Sequence, residues 1–153
     1  VWGHLALALI DAHAGGELYW FLISQGFRTY RFLPVFFQEY FPHCSRPTST
    51  RAQRVLASLA EQKFGERFDC AAGLVRPDLR QYVLRDELAC VEPGRLADPH
   101  VQYFLNRNPG HASGDELCCL APLTRENFTG AAYRVIGPKP RGFEVPAWVS
   151  PAP

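Results

Sequence analysis

Residues 17–42 read ELYWFLISQGFRTYRFLPVFFQEYFP and hold the chain's densest concentration of apolar and aromatic side chains. The run from 18 to 23 is unbroken, and glycines lie close on both sides of it, at Gly15, Gly16 and Gly26. A short apolar run between turn residues is typical of a strand that is covered on both faces. A helix usually needs about ten residues, and the glycines leave too little room for one. The run therefore predicts a buried strand.

The residues that follow Gly26 change to a helical period. Tyr30, Leu33 and Phe37 recur at the spacing of one helix face. Pro34 interrupts this pattern, because a proline inside a helix removes a backbone bond and costs about 3 kcal/mol. Two interpretations stay open: a helix that begins near Leu33 with Pro34 in its first position, or a kinked helix over residues 28–41. In both, residues 17–42 form a strand, a glycine turn and an aromatic helix.

Elsewhere, periodicity and capping signals predict further helices and short strands. Helices are expected at 2–14, at 51–64 after a capping box of Thr50 and Gln53, after the start signal Asp98-Pro99, and from Thr124 to about 133. Short strands are expected at 68–71, 74–76 and 116–120, while 86–91 stays open between strand and loop. The predicted fold class is α/β (α+β), with a small mixed sheet and flanking helices in one globular domain over residues 1–136.

The two ends of the chain have unusual sequences. Residues 137–153 contain five of the 13 prolines, which predicts a tail without regular elements. Phe143, Val145 and Trp148 favour a tail that is strapped across the surface. The chain contains no Met and opens with VWGHLALAL inside an amphipathic pattern, so we expect an N-terminal portion of the natural protein to precede Val1.

Length, charge and cysteine content narrow the classes of protein. A chain of 153 residues suits one domain, and a formal net charge of +1 gives no reason to expect nucleic acid or an anionic membrane as a partner. No run of about 18 apolar residues is present, so no membrane span is expected. The five cysteines are odd in number and form no CxxC pair, which argues against a metal site and favours a reducing, cytoplasmic location.

Motifs that carry chemistry are scarce. The chain has no G-x-S-x-G, no Walker loop, no H-E-x-x-H and no G-x-G-x-x-G. Cys44 follows His43 and is a candidate activated thiol, although neighbours in sequence rarely form a catalytic pair. Asp98 and His100 are explained by the capping of a helix.

The predicted elements follow one another as helix (2–14), strand (18–24), turn and helix (28–41). This order, together with the segment YWFLISQGFRTYRFLPVFF, resembles the second half of a GNAT-type N-acetyltransferase, in the form found in some bacterial members. In that superfamily a loop and helix start cradle the pyrophosphate of acetyl-coenzyme A, and the next strand and helix flank the pantetheine arm. The resemblance covers about the first 42 residues and implies an incomplete GNAT-like fold. The phosphate loop would precede Trp2, with its last glycine kept as Gly3.

The resemblance also implies a function and its site. An acyl group would pass from acetyl-coenzyme A or another acyl-coenzyme A to an amine of a small molecule or protein, by direct attack of the amine on the thioester. Tyr30 would protonate the leaving thiolate. The implied coenzyme contacts are Gly3, Phe21, Ile23, Ser24, Arg28 and Arg31. No metal is implied, and a homo-oligomer is compatible with this interpretation.

Two other functions stay open at this point. The first is a non-enzymatic domain that binds a protein through the aromatic helix face and the Pro-rich tail. The second is a thiol enzyme that uses Cys44.

Overall fold

The computed structural model describes residues 2–78, 84–85 and 89–149. Its helices are α1 (Trp2–Ala12), α2 (Phe27–Tyr30), α3 (Phe32–Phe36), α4 (Thr50–Phe64), α5 (Pro99–Arg107) and α6 (Gly130–Ile136), and its strands are β1 (Tyr19–Ser24), β2 (Phe68–Asp69), β3 (Leu74–Val75) and β4 (Glu116–Pro122). This mixture confirms the α+β class. Of the stretch 86–91, residues 86–88 lie outside the described residues, and 89–91 form no strand. None of the described helices is long and apolar enough to cross a membrane.

The four described strands form one sheet in the order β1-β4-β3-β2. β1 pairs with β4 over its whole length, from Tyr19 opposite Pro122 to Ser24 opposite Leu117. β4 pairs in turn with β3, and a tight turn through Gly73 joins β3 to β2. All these pairs are antiparallel, whereas the sequence predicted a mixed sheet. A short turn accounts for the antiparallel β2–β3 pair alone, because parallel neighbours need a long crossover, whereas β1 and β3 are each followed by a long stretch of chain before β4.

β1 is covered on both faces, as its unbroken apolar run predicts. Trp20 and Leu22 pack into the main core together with residues of α1, α2 and α5. Phe21 and Ile23 pack on the opposite face, against α4. Burial of one large apolar side chain stabilises a fold by about 1.5–3 kcal/mol. The strand therefore joins two apolar layers to the same sheet.

The segment after β1 forms two short helices where the sequence predicted one. α3 begins at Phe32, and the chain leaves helical geometry at Phe37. Pro34 is the third residue of α3, where its missing N–H has no intrahelical partner to lose. The first interpretation is therefore right about the start of the helix to within one residue and wrong about the position of the proline, whereas the second is wrong because the chain leaves helical geometry at Phe37. Beyond α3, Phe41 exchanges two backbone hydrogen bonds with Leu120 of β4, at 2.7 and 2.8 Å.

α4 and α5 begin close to their predicted starts, and each has a side-chain cap at its N-terminus. Ser49 caps α4, since its hydroxyl accepts a hydrogen bond from the Ala52 N–H at 3.2 Å. The predicted cap, Thr50, is the first residue of that helix. Asp98 caps α5 as predicted, and its Oδ1 accepts from the His100 N–H at 2.9 Å. Such caps contribute about 1 kcal/mol each.

The last helix begins later than the sequence predicted. Thr129 caps α6, and its hydroxyl accepts from the Ala132 N–H at 3.2 Å. Thr124 was the predicted cap, but its hydroxyl accepts from the Asn127 N–H within a turn. Both threonines have a suitable side chain, and the turn around Asn127 decides between them.

The tail lies across α1, with which the short 3-10 turn Ala147–Val149 is in contact. Val149 is 1% exposed, and the Phe143 ring lies 5.6 Å from the His4 ring. Val145 and Trp148 are exposed. Of the three residues expected to strap the tail down, Phe143 does so, and Val149 supplies the buried anchor.

Candidate functional site

A groove of about 280 Å³ lies along α2 and α3. The 3-10 turn Pro93–Arg95 contributes to its lining. The lining combines three guanidinium groups, one carboxylate and four apolar side chains: Arg28, Arg31, Arg95, Glu92, Phe27, Phe32, Val35 and Phe36. Concave sites with apolar walls and a few convergent polar groups are where a ligand is expected first.

The period of α2 and α3 decides which side chains reach this groove. Phe27 and Tyr30 are buried in the core. Arg28, which lies between these two residues, is exposed. After Tyr30, Arg31 is half-buried and Phe32 is exposed. The same period that fills the core therefore leaves arginine and aromatic side chains on the solvent side.

The groove carries an excess of positive charge. Arg31 Nε lies 3.2 Å from Asp98 Oδ2, so one of the three guanidinium groups has a carboxylate partner. Arg28 and Arg95 form no ion pair with any residue that the structure describes. Glu92 is the one carboxylate in the lining. Free guanidinium groups beside aromatic rings suit a ligand with an anionic part and an apolar part.

Tyr30, the predicted acid, lies in the core behind the groove. Its side chain is 0% exposed, and its hydroxyl donates to the Pro42 carbonyl at 2.9 Å. Burial, with smaller effects from Tyr40 and other nearby groups, raises the pKa of this hydroxyl far above its ordinary value. An acid role for Tyr30 requires the bond to Pro42 to open, and it stays a prediction.

The other predicted coenzyme contacts divide into two groups. Arg28 and Arg31 line the groove, whereas Phe21 and Ile23 pack against α4. Ser24 is fully buried, and its hydroxyl donates to a backbone carbonyl two residues further along, at 3.0 Å. The structure therefore brings only the two arginines to this groove.

Gly3 lies against another element, the last helix. A Cβ at this position would overlap the side chain of Ile136 in α6. The close approach that favours glycine here is therefore to a helix of the same chain. Gly3 also lines a second hollow of about 210 Å³, which shares Phe36 with the groove.

Sequence reasoning missed Arg95 and His100. Arg95 reaches the groove from a turn about sixty residues further along the chain, and no local sequence pattern predicts its position beside α2 and α3. Cys44 Sγ lies 3.3 Å from His100 Nδ1, whereas the sequence paired Cys44 with His43. The His43 ring instead accepts from a backbone N–H through Nδ1, at 3.1 Å. A separation of 56 residues leaves no spacing signal for the Cys44–His100 pair.

No family model, curated protein or solved structure matches this chain. The fold and the site therefore define the class by their own features, as an α+β protein with a cationic, aromatic groove. Within the described ranges, no group of three or more His, Cys, Asp or Glu side chains is arranged to hold a metal ion. The arginines are the groups in this groove that can hold an anionic cofactor.

Proposed function

We propose that this protein is an acyltransferase that takes an acyl group from acyl-coenzyme A and passes it to an amine. The observation that carries the proposal is the groove on α2 and α3, where three arginines border aromatic side chains. Coenzyme A has an anionic part and an uncharged part that suit such a groove, since its nucleotide end carries phosphates and its pantetheine arm is long and uncharged. Arg28 and Arg31 belong both to this groove and to the coenzyme contacts that the GNAT resemblance implies.

The charges and dimensions of the groove suit the phosphate end of the coenzyme. A guanidinium group binds two phosphate oxygens at once through its planar set of N–H donors. Arg28 and Arg95 are the groups proposed for this role, while the charge of Arg31 is balanced by Asp98, whose Oδ2 lies 3.2 Å from Arg31 Nε. A volume of about 280 Å³ is small for a ligand site, so the groove takes one end of the coenzyme. β1 directly precedes α2 and is an edge strand of the described sheet, and we place the pantetheine arm along that edge.

The reaction needs an uncharged amine and a proton for the departing thiolate. The amine nitrogen attacks the thioester carbonyl, the C–S bond breaks, and the amine loses a proton as the amide forms. The GNAT resemblance assigns the proton donor to Tyr30. We place this reaction in the cytoplasm, with a small-molecule or protein amine as acceptor. All five cysteines are free thiols, which agrees with a reducing compartment.

A thermal-shift titration with acetyl-coenzyme A tests the proposal. A ligand that binds only the folded state stabilises it by about 2.7 kcal/mol at a hundred times its dissociation constant, so the shift should saturate. Pantetheine lacks the nucleotide phosphates and should produce a much smaller shift. Release of free thiol from acetyl-coenzyme A in the presence of an amine then reports transfer. The absence of any shift with acetyl-coenzyme A would overturn the proposal.

Replacement of Tyr30 separates binding from proton donation. If Tyr30 is the acid, Tyr30→Phe should lower turnover by roughly 10²-fold or more, the usual contribution of a general acid. The dissociation constant for acetyl-coenzyme A should stay at the wild-type value. Unchanged turnover would remove Tyr30 from the mechanism and leave the groove's role intact.

A second candidate, a non-enzymatic interaction domain, is favoured by the exposed apolar side chains that line the groove. Phe32 is 49% exposed and Val35 is 38% exposed, and both lie on α3. Contiguous exposed apolar surface is typical of protein-binding sites. The occupant that needs no further component is a second copy of this chain. Sedimentation equilibrium of the wild type and of Phe32→Ser tests this: a dimer that the substitution dissociates, together with no response to acetyl-coenzyme A, would favour the interaction domain.

A further inference from the structure

A thiol and an imidazole meet where the loop after α3 passes the start of α5. Cys44 Sγ lies 3.3 Å from His100 Nδ1, and the Tyr40 hydroxyl lies 3.1 Å from the same nitrogen. Cys44 and His100 are both half-buried, so a reagent from solvent can reach them. A thiol within hydrogen-bond reach of an imidazole is the arrangement of a nucleophile and its base.

We propose that Cys44 is a nucleophile, that His100 is its general base, and that the thiol accepts the acyl group from an acyl thioester before it passes to the amine. The identity of the donor as acyl-coenzyme A rests on the proposed function. The acyl-Cys44 intermediate replaces the direct attack of the amine on the donor that the GNAT resemblance implies, and His100 takes the place of Tyr30 as the proton donor to the departing thiolate. The nucleophilic character of Cys44 rests on its own contacts.

Two donors face the Nδ1 atom of the His100 ring. Burial raises the pKa of the Tyr40 hydroxyl far above its ordinary value, so this hydroxyl stays protonated. In the tautomer that carries the ring proton on Nε2, the single lone pair on Nδ1 accepts from either the Tyr40 hydroxyl or the Cys44 thiol. In this tautomer Nδ1 can take the Cys44 proton, as a base requires.

The backbone of His100 is held at the first turn of α5. Its N–H donates to Asp98 Oδ1 at 2.9 Å, and Arg31 Nε lies 3.2 Å from the other carboxylate oxygen. Asp98 therefore acts on His100 through the backbone and does not touch the imidazole. The same carboxylate connects this site to the groove, because Arg31 belongs to the groove lining.

His43, the neighbour of Cys44 in sequence, has a different role. Its ring lies 4.6 Å from the Tyr40 ring, and its Nδ1 accepts from the Ser45 N–H at 3.1 Å. Burial, together with Arg46 and His100, lowers the pKa of His43. A neutral ring with Nδ1 already occupied leaves His100 as the base for Cys44.

The proposed step is balanced without an oxidant or reductant. The Cys44 thiol gives its proton to His100 Nδ1, and the thiolate attacks the carbonyl carbon of the donor. A new C–S bond forms to Cys44, the C–S bond of the donor breaks, and the departing thiolate takes the proton from His100. The amine then attacks the acyl-Cys44 carbonyl, and the released Cys44 sulfur recovers a proton from the amine.

The other cysteines provide contrast within the same molecule. Cys118 and Cys119 are buried in β4, and burial raises the pKa of the Cys118 thiol to about 12. Cys70 and Cys90 are exposed, and neither forms a hydrogen bond to an imidazole of the described residues. Cys70 can therefore serve as an internal reference for a thiol without a base.

Two measurements on the full chain test the proposal. The first is the rate at which iodoacetamide alkylates each cysteine, followed by peptide mass spectrometry. His100→Asn should slow alkylation of Cys44 by at least about tenfold, since a general base usually contributes 10²–10⁴-fold, and should leave the rate at Cys70 unchanged. Equal rates at Cys44 in wild type and His100→Asn would overturn the proposal.

The second measurement is acylation itself. The wild type is mixed with acetyl-coenzyme A, or with S-acetyl-N-acetylcysteamine, a neutral thioester that lacks the phosphates. One acetyl group on Cys44, absent from Cys44→Ser and retained in Cys70→Ser, is the expected result. Acetylation by the neutral thioester without any response to acetyl-coenzyme A would support the nucleophile and overturn the proposed donor. If Cys44→Ser acetylates the amine at the wild-type rate, Cys44 is not the nucleophile, although the proposed acyltransferase activity is unaffected by that result.

Discussion

Asn127 shows how a single polar side chain holds two distant segments together. It is 7% exposed, and its Nδ2 donates to the carbonyls of Glu39 and Pro122, both at 2.8 Å. Its Oδ1 accepts from the Glu39 N–H at 2.7 Å. The amide therefore ties the loop after α3 to the end of β4. Buried polar groups of this kind stabilise a fold only while all partners are present.

Asn127→Ala should lower the free energy of unfolding by about 2–3 kcal/mol, because two carbonyls and one N–H lose their partner away from water. Urea unfolding followed by circular dichroism measures the change. Asn106→Ala, the same substitution at an exposed position of α5, is the control and should stay within about 0.5 kcal/mol of wild type. A similar small loss at both positions would contradict the role given to Asn127.

At the scale of helices and strands, sequence reasoning succeeded where the signal is local. β1 and α4 were predicted because an apolar run between glycines and a 3.6-residue period are contained in the element itself. The helix after Gly26 was predicted only in part: one interpretation gave its start to within one residue, but the sequence does not show that Pro34 takes the third position rather than the first. The start of α6 was also wrong, because contacts of Asn127, rather than propensity, select Thr129 over Thr124.

The candidate site was predictable only in part, for the same reason. Arg28 and Arg31 lie in one short segment and were identified together. Arg95 and His100 arrive from the other half of the chain, and the fold alone decides where they lie. The helical period placed Tyr30 on one face with Leu33 and Phe37, and the structure buries all three, whereas the acid role of Tyr30 came only from the GNAT resemblance.

Two substitutions of Asp98 separate its role as the cap of α5 from its ion pair with Arg31. Asp98→Ala removes the oxygen that accepts from the His100 N–H, and should cost about 1–2 kcal/mol. Asp98→Asn keeps a capping oxygen and should cost a few tenths, because Asn caps nearly as well and the half-exposed pair with Arg31 contributes little. Urea midpoints measure both. Equal losses in the two variants would show that the ion pair, and not the cap, holds the start of α5.

For the molecule as a whole, β4 is the strand on which both apolar layers meet. Leu117, Cys119 and Ala121 belong to the main core, while Cys118 and Leu120 belong to the clusters beneath α4. Two thiols therefore lie at the centre of the sheet, out of reach of water. Their protonation connects the stability of the whole fold to pH.

Alkaline pH should destabilise the fold through these thiols. Burial raises the pKa of Cys118 to about 12, with a further contribution from Glu116, and raises that of Cys119 well above its ordinary value. In the unfolded chain each thiol titrates near pH 8.5, the ordinary value of a cysteine thiol. Because the folded pKa is the higher one, the stabilisation is complete below about pH 8.5 and is lost as pH rises toward about 12.

The expected loss is about 1.4 kcal/mol for each thiol at about pH 9.5, one unit above the unfolded pKa. Urea unfolding at about pH 7.5 and about pH 9.5 measures it. The free energy of unfolding of Cys118→Ala should decline over this pH interval by about half as much as that of the wild type, whatever the stability of the variant at the lower pH. An equal decline in both proteins would contradict the contribution of Cys118.

The groove is the central claim, and the dissociation constant for acetyl-coenzyme A, measured by calorimetry on the full chain, tests it most directly. Wild type should bind, and Arg28→Gln/Arg95→Gln should weaken binding by about 100-fold, since each charge-assisted hydrogen bond contributes about 1.5 kcal/mol or more and 1.4 kcal/mol is tenfold. Arg54→Gln, at an exposed position of α4, should bind like wild type. Equal dissociation constants in wild type and the double variant would contradict the account.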